Sequence, residues 1–366
     1  MSRIYHFTSS FPLTVLMLLE TNMPSKVQNV KCKSIRETGF TLLELMISMT
    51  VFLVFIAAVY GLMRIGSIQK TTISTQADVT KNVRLSLNTI GRDAVNAGLG
   101  YSRVGGYVPD DLTNLRMGLP ADPNTTEDLV TAVVAGNEIN DNLALTGQKS
   151  DVVSFTYRDL NFNGGDPIKL VSAADSGSNG VIITTENGAT ANSRPYDLYL
   201  ISDGSRTALG IVTSVPGGGK TLVFEAGAND PLKINSLFAA SKLVDMSYPA
   251  VTAKKVNWVS YRVTIDGVLT RTIFGNNSDQ PASEQIQIQP VAYNIQNLQV
   301  KYLLNTGILS DDPSNGGVDQ GKLNKVVQID VTISARYSIR ENGVDINKVF
   351  DLNSTFSTKN LNYDIG

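Results

Sequence analysis

Residues 40–63 read FTLLELMISMTVFLVFIAAVYGLM, 24 positions interrupted by a single charge, Glu44. At about 1.5 Å of rise per residue this helix is roughly 36 Å long, enough to cross a hydrocarbon core of roughly 30 Å. Beyond Met63 the pattern changes rather than stops. Ile65, Ile68, Thr72, Val79, Val83, Leu87, Ile90, Ala94 and Ala97 recur at three- and four-residue steps, with one gap near Thr75. Lys70, Asp78, Lys81, Asn88 and Asp93 fill much of the rest. That is the period of an amphipathic helix. The spacing predicts one helix from Phe40 to about Ala97, roughly 87 Å long. Glycine at Gly98–Gly100 suits its C-terminal cap.

Residues 101–150 are rich in Gly, Pro, Asn and Asp and read as a long surface excursion, with at most a short helix over 127–135. The period then shortens to two. DVVSFTY (151–157), GVIITTE (180–186), DLYLISD (197–203), ALGIVTSV (208–215) and TLVFEAG (221–227) are short runs rich in β-branched and aromatic residues, bounded by Gly, Asn and Asp. Their close spacing suggests antiparallel hairpins rather than βαβ units. WVSYRVTI and VLTRTIFG flank Asp266-Gly267, a pair suited to a two-residue type I′ turn. Strands are also expected in AYNIQNLQVKYLL, KVVQIDVTISARYSI and VFDLNSTFST. Val327, Ile329, Val331 and Ile333 should face one side, and Gln328, Asp330, Thr332 and Ser334 the other. The fold class predicted is α+β: a long N-terminal helix packed on an antiparallel β-sheet head.

Composition narrows the chemistry. The sequence holds one Cys and one His in 366 residues, and these, Cys32 and His6, both precede Gly39. The rest of the chain therefore lacks thiol nucleophiles, His-based acid–base groups, Ser-His-Asp triads, the usual zinc ligands and any disulfide. Residues 1–39 carry five basic and two acidic side chains, which leaves 26 basic and 31 acidic beyond them, a net of −5. A nucleic-acid binder should show a basic face, so no nucleic-acid partner is expected.

Glu44 is the informative anomaly. A charge at the centre of an apolar span costs about 2.5–3.5 kcal/mol even on lenient insertion scales, and Glu44 near its start bears some part of that. In an apolar helix bundle a carboxylate needs a partner or it takes up a proton; the alternative is a side chain reaching back to the headgroups. A short basic segment, Met23 to Gly39, stands directly before the run and favours a cytoplasmic N-terminus. Basic leader, Gly39, Phe40, TLLELM and an unbroken apolar stretch, in that order, resemble the type IV prepilin signature. The resemblance implies cleavage between Gly39 and Phe40 by a membrane prepilin peptidase, N-methylation of Phe40 and retention of the apolar helix. It also implies that Glu44 pairs with the N-terminal amine of a neighbouring subunit. Leaders of this family are short and basic, so Met23 is read as the true start and residues 1–22, with their short apolar run Phe11–Leu19, as lying outside it.

The order of later segments is similar to the PilW-type minor pilins and to pseudopilin J of type II secretion. The similarity rests on NVRLSLNTIGRDAVNAGLGYSR, YRVTIDGVLTRTIF, VAYNIQNLQVKYLL and VVQIDVTISARYSI. It implies a leader (1–39), a transmembrane half-helix (40–63), an amphipathic half-helix (64–98), a variable surface excursion (99–150) and a periplasmic β-rich head (151–366). The protein implied is a structural subunit of pilus assembly, not an enzyme. It would be anchored in the bacterial inner membrane and later placed in the pilus or at the cell surface. Its partners would be major and minor pilins, the prepilin peptidase and the pilus assembly platform. A type II secretion pseudopilin and a pilus-displayed adhesin or binding module, using the 101–150 excursion and the large middle of the chain, are the alternatives.

Three loops invite a ligand. Asp159, Asn161, Asn163 and Asp166 place oxygens at spacings like the opening of a calcium loop, with Gly164 and Gly165 for the bend; the bidentate Glu that should close it is replaced by Leu170. A plain Asn/Gly turn is the competing reading. Asp311–Asp319 is a second acidic, Gly-rich connection. Gly217-Gly-Gly-Lys220-Thr221 departs from phosphate-loop spacing and leads into a strand, so it reads as a hairpin turn.

Overall fold

The computed structural model describes residues 39–121, 126–141, 149–175, 180–186, 192–218, 220–236, 245–315, 320–341 and 344–358. Met23, Cys32, His6 and the rest of the predicted leader before Gly39 lie outside the described residues, as does part of the Asp311–Asp319 loop. Helix α1 runs Leu42–Asn96, close to the predicted limits. The chain divides into two compact units, Met1–Leu62 and Met63–Gly366. In the first, residues from Phe40 to Ala58 are exposed, and no residue of the most apolar stretch of α1 is buried.

The second unit is a β-rich body built on the rest of α1. One twelve-stranded sheet holds β1 (Gly106–Pro109), β2 (Glu127–Val130), β3 (Val133–Asn140), β4 (Ser150–Arg158), β5 (Ile168–Asp175), β6 (Gly180–Thr185), β7 (Leu198–Ser202), β8 (Thr207–Ile211), β9 (Thr221–Glu225), β10 (Val251–Val263), β11 (Leu269–Phe274) and β12 (Ile286–Ala292). A four-stranded sheet orders β14 (Leu309–Ser310), β13 (Ile295–Leu304), β15 (Val326–Glu341) and β16 (Val344–Ser357). Pairing is antiparallel except for the contact of β1 with β8. The α+β reading holds.

β10 is the hub of the large sheet. Its last residues pair with β4 and β11, and its first with β5 and β7. Trp258, the sole Trp, is fully buried there, its ring 4.2 Å from that of Phe274 and its Nε1–H donating to Ser154 Oγ at 2.7 Å. The run LYLI of β7 is buried on both faces: Leu198 and Leu200 enter the main core, Tyr199 and Ile201 a second, smaller one.

The helix stripe meets this body only in part. Val79, Val83, Leu87, Ile90, Ala94 and Ala97 are buried, whereas Ile65 and Ile68 are exposed. Gly98 takes a left-handed φ of 80°, as a cap requires, and its N–H donates to Thr156 O, handing the chain directly to β4. Gly91 is a close approach: a Cβ there would lie 2.2 Å from the ring of Phe356 on β16.

Five expectations are corrected. Residues 101–150 are not a surface excursion alone; they supply β1–β3 and a short helix α2 (Leu112–Met117), and bury Val108, Leu112, Met117, Leu119 and Val130. The helix expected over 127–135 is β2 and β3, because the Val-Thr-Ala-Val-Val run lies beside β4 and is buried on both faces. The Asp266-Gly267 turn is not type I′. Only Gly267 adopts positive φ, and Gly267 N–H bonds Thr264 O while Thr264 N–H bonds Val268 O, a longer loop closed by one left-handed glycine. Val327 leaves the line of Ile329, Val331 and Ile333, since a register shift opposite Leu303/Leu304 displaces it and Val326 is buried in its place. Asp93, read as part of the polar face, is 1% exposed.

That buried carboxylate is densely bonded. Its Oδ2 accepts from Tyr261 Oη–H at 2.6 Å and from Arg271 Nε–H at 2.8 Å, and its Oδ1 from Tyr157 Oη–H at 3.1 Å. β4, β10 and β11 each supply one partner, and Tyr261 and Arg271 are cross-strand neighbours. Burial first, then the Asp93 charge, pushes the Tyr157 hydroxyl up to about 12, so both phenols are neutral donors at ordinary pH. Asp93→Ala leaves the Arg271 guanidinium, 13% exposed, without its counter-charge. It should destabilise the second unit by about 3–5 kcal/mol in denaturant titrations, and Arg271→Met in the same chain should restore part of the loss.

A second buried carboxylate joins the two sheets. Asp151 on β4 accepts from Val300 N–H of β13 at 2.7 Å and from Glu138 N–H of β3 at 2.9 Å. Burial, opposed by those two bonds and reinforced by the charges of Glu138 and Asp311, raises it from its ordinary 3.8 to about 7. The unfolded chain thus releases this proton before the folded one does. The contribution to stability is fully present below pH 3.8 and is lost as pH rises through about 7. In urea titrations between pH 4 and 8 the wild type should lose stability with rising pH more steeply than Asp151→Asn.

Candidate functional site

The first turn of α1 holds the residues that the leader pattern singled out. Thr41 is the N-cap: its carbonyl accepts the first helical bond, from Leu45 N–H at 3.2 Å. Glu44 is therefore the third helical residue, and Thr41 and Glu44 bond reciprocally. Glu44 N–H donates to Thr41 Oγ1 at 3.2 Å, while Thr41 N–H and Thr41 Oγ1–H each donate to Glu44 Oε2 at 3.1 Å. This is a capping box, and it satisfies helix-end donors that hydrocarbon would leave bare. Thr-Leu-Leu-Glu is its four-residue sequence pattern, a signal present in the sequence and missed beside the stronger leader motif.

Both bonds fall on Oε2. Oε1 accepts none among the described residues, so one carboxylate oxygen faces outward one turn from Phe40, ready to accept from an ammonium. Around it Phe40, Ile47, Ser48, Val51, Phe52 and Phe55 form one face of the helix. Phe40 is 85% exposed and the large apolar residues after it are nearly all more than half exposed. A continuous apolar surface of this kind requires lipid or a partner protein. The hydroxyls within the span are satisfied internally, Ser48 to Leu45 O and Thr50 to Ile47 O. Gly39, Phe40 and Glu44 thus sit together at the head of the helix.

The calcium-like quartet sits elsewhere, in the turn after β4. Asp159 Oδ1 accepts from Asn161 N–H, Asn163 Nδ2–H donates to Asp166 O, and Asn163, Gly164 and Gly165 take positive φ. Arg158 Nη2–H donates to Gly165 O, so a guanidinium already lies against one carbonyl of the loop. Among the described residues no group of three or more His, Cys, Asp or Glu is placed to hold a metal ion. The Gly217 turn joins β8 to β9, with Thr221 Oγ1–H donating to Pro216 O. The Asp93–Arg271 cluster was not foreseen as a site, and its role is to fix the helix in its body.

Removing the cap hydroxyl tests the first turn. Thr41→Val in the detergent-solubilised chain should speed amide exchange at Glu44 about fivefold, the equivalent of about 1 kcal/mol of lost capping, while amides near Ile90 stay unchanged.

Residues 35–60 match the family model of the prokaryotic N-terminal methylation motif. No curated protein matches the chain. The matched segment ends inside the apolar helix and includes Gly39, Phe40, Thr41 and Glu44. Methylation motif and membrane-length helix together support a type IV pilin-like or pseudopilin protein, processed by a prepilin peptidase and anchored in the inner membrane.

Proposed function

We propose that the chain is a minor type IV pilin of the PilW kind, a structural subunit that acts in pilus assembly or priming. The observation that carries this reading is the outward oxygen of Glu44 at the head of an exposed apolar helix. Cleavage after Gly39 frees the amine of Phe40. The helix then supplies apolar contacts to other pilin helices, and Glu44 sets their register by pairing with a neighbour's amine. The β-rich unit selects the partners, which are other pilins. Chemistry on a substrate plays no part in this reading.

The breadth of the region 101–250 favours the pilus over a secretion-system pseudopilin. For a pilus-displayed adhesin, Val108, Leu112, Met117, Leu119 and Val130 of the 101–150 segment are committed to the core, so that reading leans more on the large middle of the chain.

Glu44→Gln keeps shape and capping acceptor but removes the charge. Mass spectrometry should find cleavage at Gly39/Phe40 intact in this variant and N-methyl-Phe40 at the mature terminus of the wild type. Co-purification with other pilins and incorporation into fibres should fall tenfold or more. Recruitment at the wild-type level in Glu44→Gln would overturn the proposal.

A further inference from the structure

One residue, Thr41, separates the Gly39–Phe40 peptide from the first helical residue, Leu42. Gly39, Phe40 and Thr41 lie outside the helix, and the carbonyls of Gly39 and Phe40 accept no hydrogen bond among the described residues. A Cβ built on Gly39 would meet nothing within 4 Å, and Phe40 is 85% exposed. The peptide between them is therefore open. Hydrolysis there adds water to the Gly39 carbonyl carbon, breaks the C–N bond and passes a proton to the departing Phe40 amine. A peptidase reaches such a carbonyl when the backbone is extended, because main-chain bonds hold an extended segment as they hold an added strand. A helix removes that option by bonding the same carbonyl to the amide four residues on.

A helix begun two residues earlier would do this. Leu43 N–H would bond Gly39 O, and Glu44 N–H would bond Phe40 O. The Thr41 side chain stands against that extension. Glu44 N–H donates to Thr41 Oγ1 at 3.2 Å instead of to Phe40 O, and Thr41 N–H donates to Glu44 Oε2 at 3.1 Å. A residue that caps in this way keeps its own backbone out of the helical region. We propose that Thr41 is a positioning residue for processing: its hydroxyl fixes the helix start at Leu42 and so leaves the Gly39 carbonyl in unbonded, extended backbone for a prepilin peptidase. This rests on the reading of residues 35–60 as a processing signal, and the test separates the two. Substitution can also separate capping from recognition of the side chain by the peptidase. Valine copies the shape of threonine without an acceptor oxygen, whereas asparagine changes the shape and keeps an acceptor.

The full chain in detergent is incubated with a purified prepilin peptidase, and loss of the leader is followed by mass spectrometry in the wild type, Thr41→Val, Thr41→Ser and Thr41→Asn. Cleavage should slow about fivefold in Thr41→Val, as the competent fraction falls with the lost cap, and stay within about twofold of wild type in Thr41→Ser and Thr41→Asn. Isotope-labelled carbonyl carbons of Gly39 and Phe40 should shift toward helical values in Thr41→Val alone. The bonds that replace the cap are weaker than it is, so amide exchange at Glu44 still quickens there. Cleavage of Thr41→Val at the wild-type rate overturns the proposal. Slowing of Thr41→Asn as great as that of Thr41→Val, or slow Thr41→Val with both carbonyl shifts unchanged, assigns the effect to contact with the peptidase and overturns it too. In each of these cases a wild type cut between Gly39 and Phe40 leaves the processing reading standing. A wild type left uncut at that bond overturns both.

Discussion

Asp93 has almost no contact with water, yet it lies on the buried helix face among Val83, Leu87, Ile90 and Ala94. A carboxylate in that position is tolerable only because three strands bring it donors. Tyr157, Tyr261 and Arg271 come from adjacent strands, so their convergence depends on the register of β4, β10 and β11 being correct to the residue. Slippage by one position would turn those side chains to the opposite face and leave the charge stranded. The ion pair therefore acts as a check on two things at once, the rotation of α1 and the alignment of the sheet beneath it. Net energy is the smaller part of its role, since a buried pair recovers little beyond its desolvation cost.

The same helix carries a second carboxylate under opposite circumstances. Glu44 is satisfied on one oxygen by its own cap and open on the other. One acid is closed within the subunit and fixes it; the other is left half open and faces outward. That division suits an element whose two ends serve different neighbours, the head of its own chain and the helices of others.

Much of this was legible in the sequence where a period was long and uninterrupted. The apolar span, the Val79–Ala97 stripe and most strands after Ser150 follow from spacing alone, and Gly39, Phe40 and Glu44 from their order. The misses share a cause: context beyond the local window. Asp93 stands three positions after Ile90 and four before Ala97, on the apolar line itself, and its charge argued for the surface until its partners were known. Residues 127–135 have mixed propensity, and the edge of β4 decided them. The Val327 displacement and the longer Asp266-Gly267 loop arise from pairing geometry, which composition does not encode. Thr41 was readable as a cap and was overshadowed by the motif around it.

Phe356 against Gly91 links nearly the last described residue of the chain to its first described element. Synthesis runs from one end, so the helix emerges long before the strand that covers it. During that interval the Val79–Ala94 stripe and the inner face of β15 have no cover from β16. The β-rich unit spends that time unfinished, with apolar surface open to misassembly. Completion of the core is then coupled to the arrival of β16.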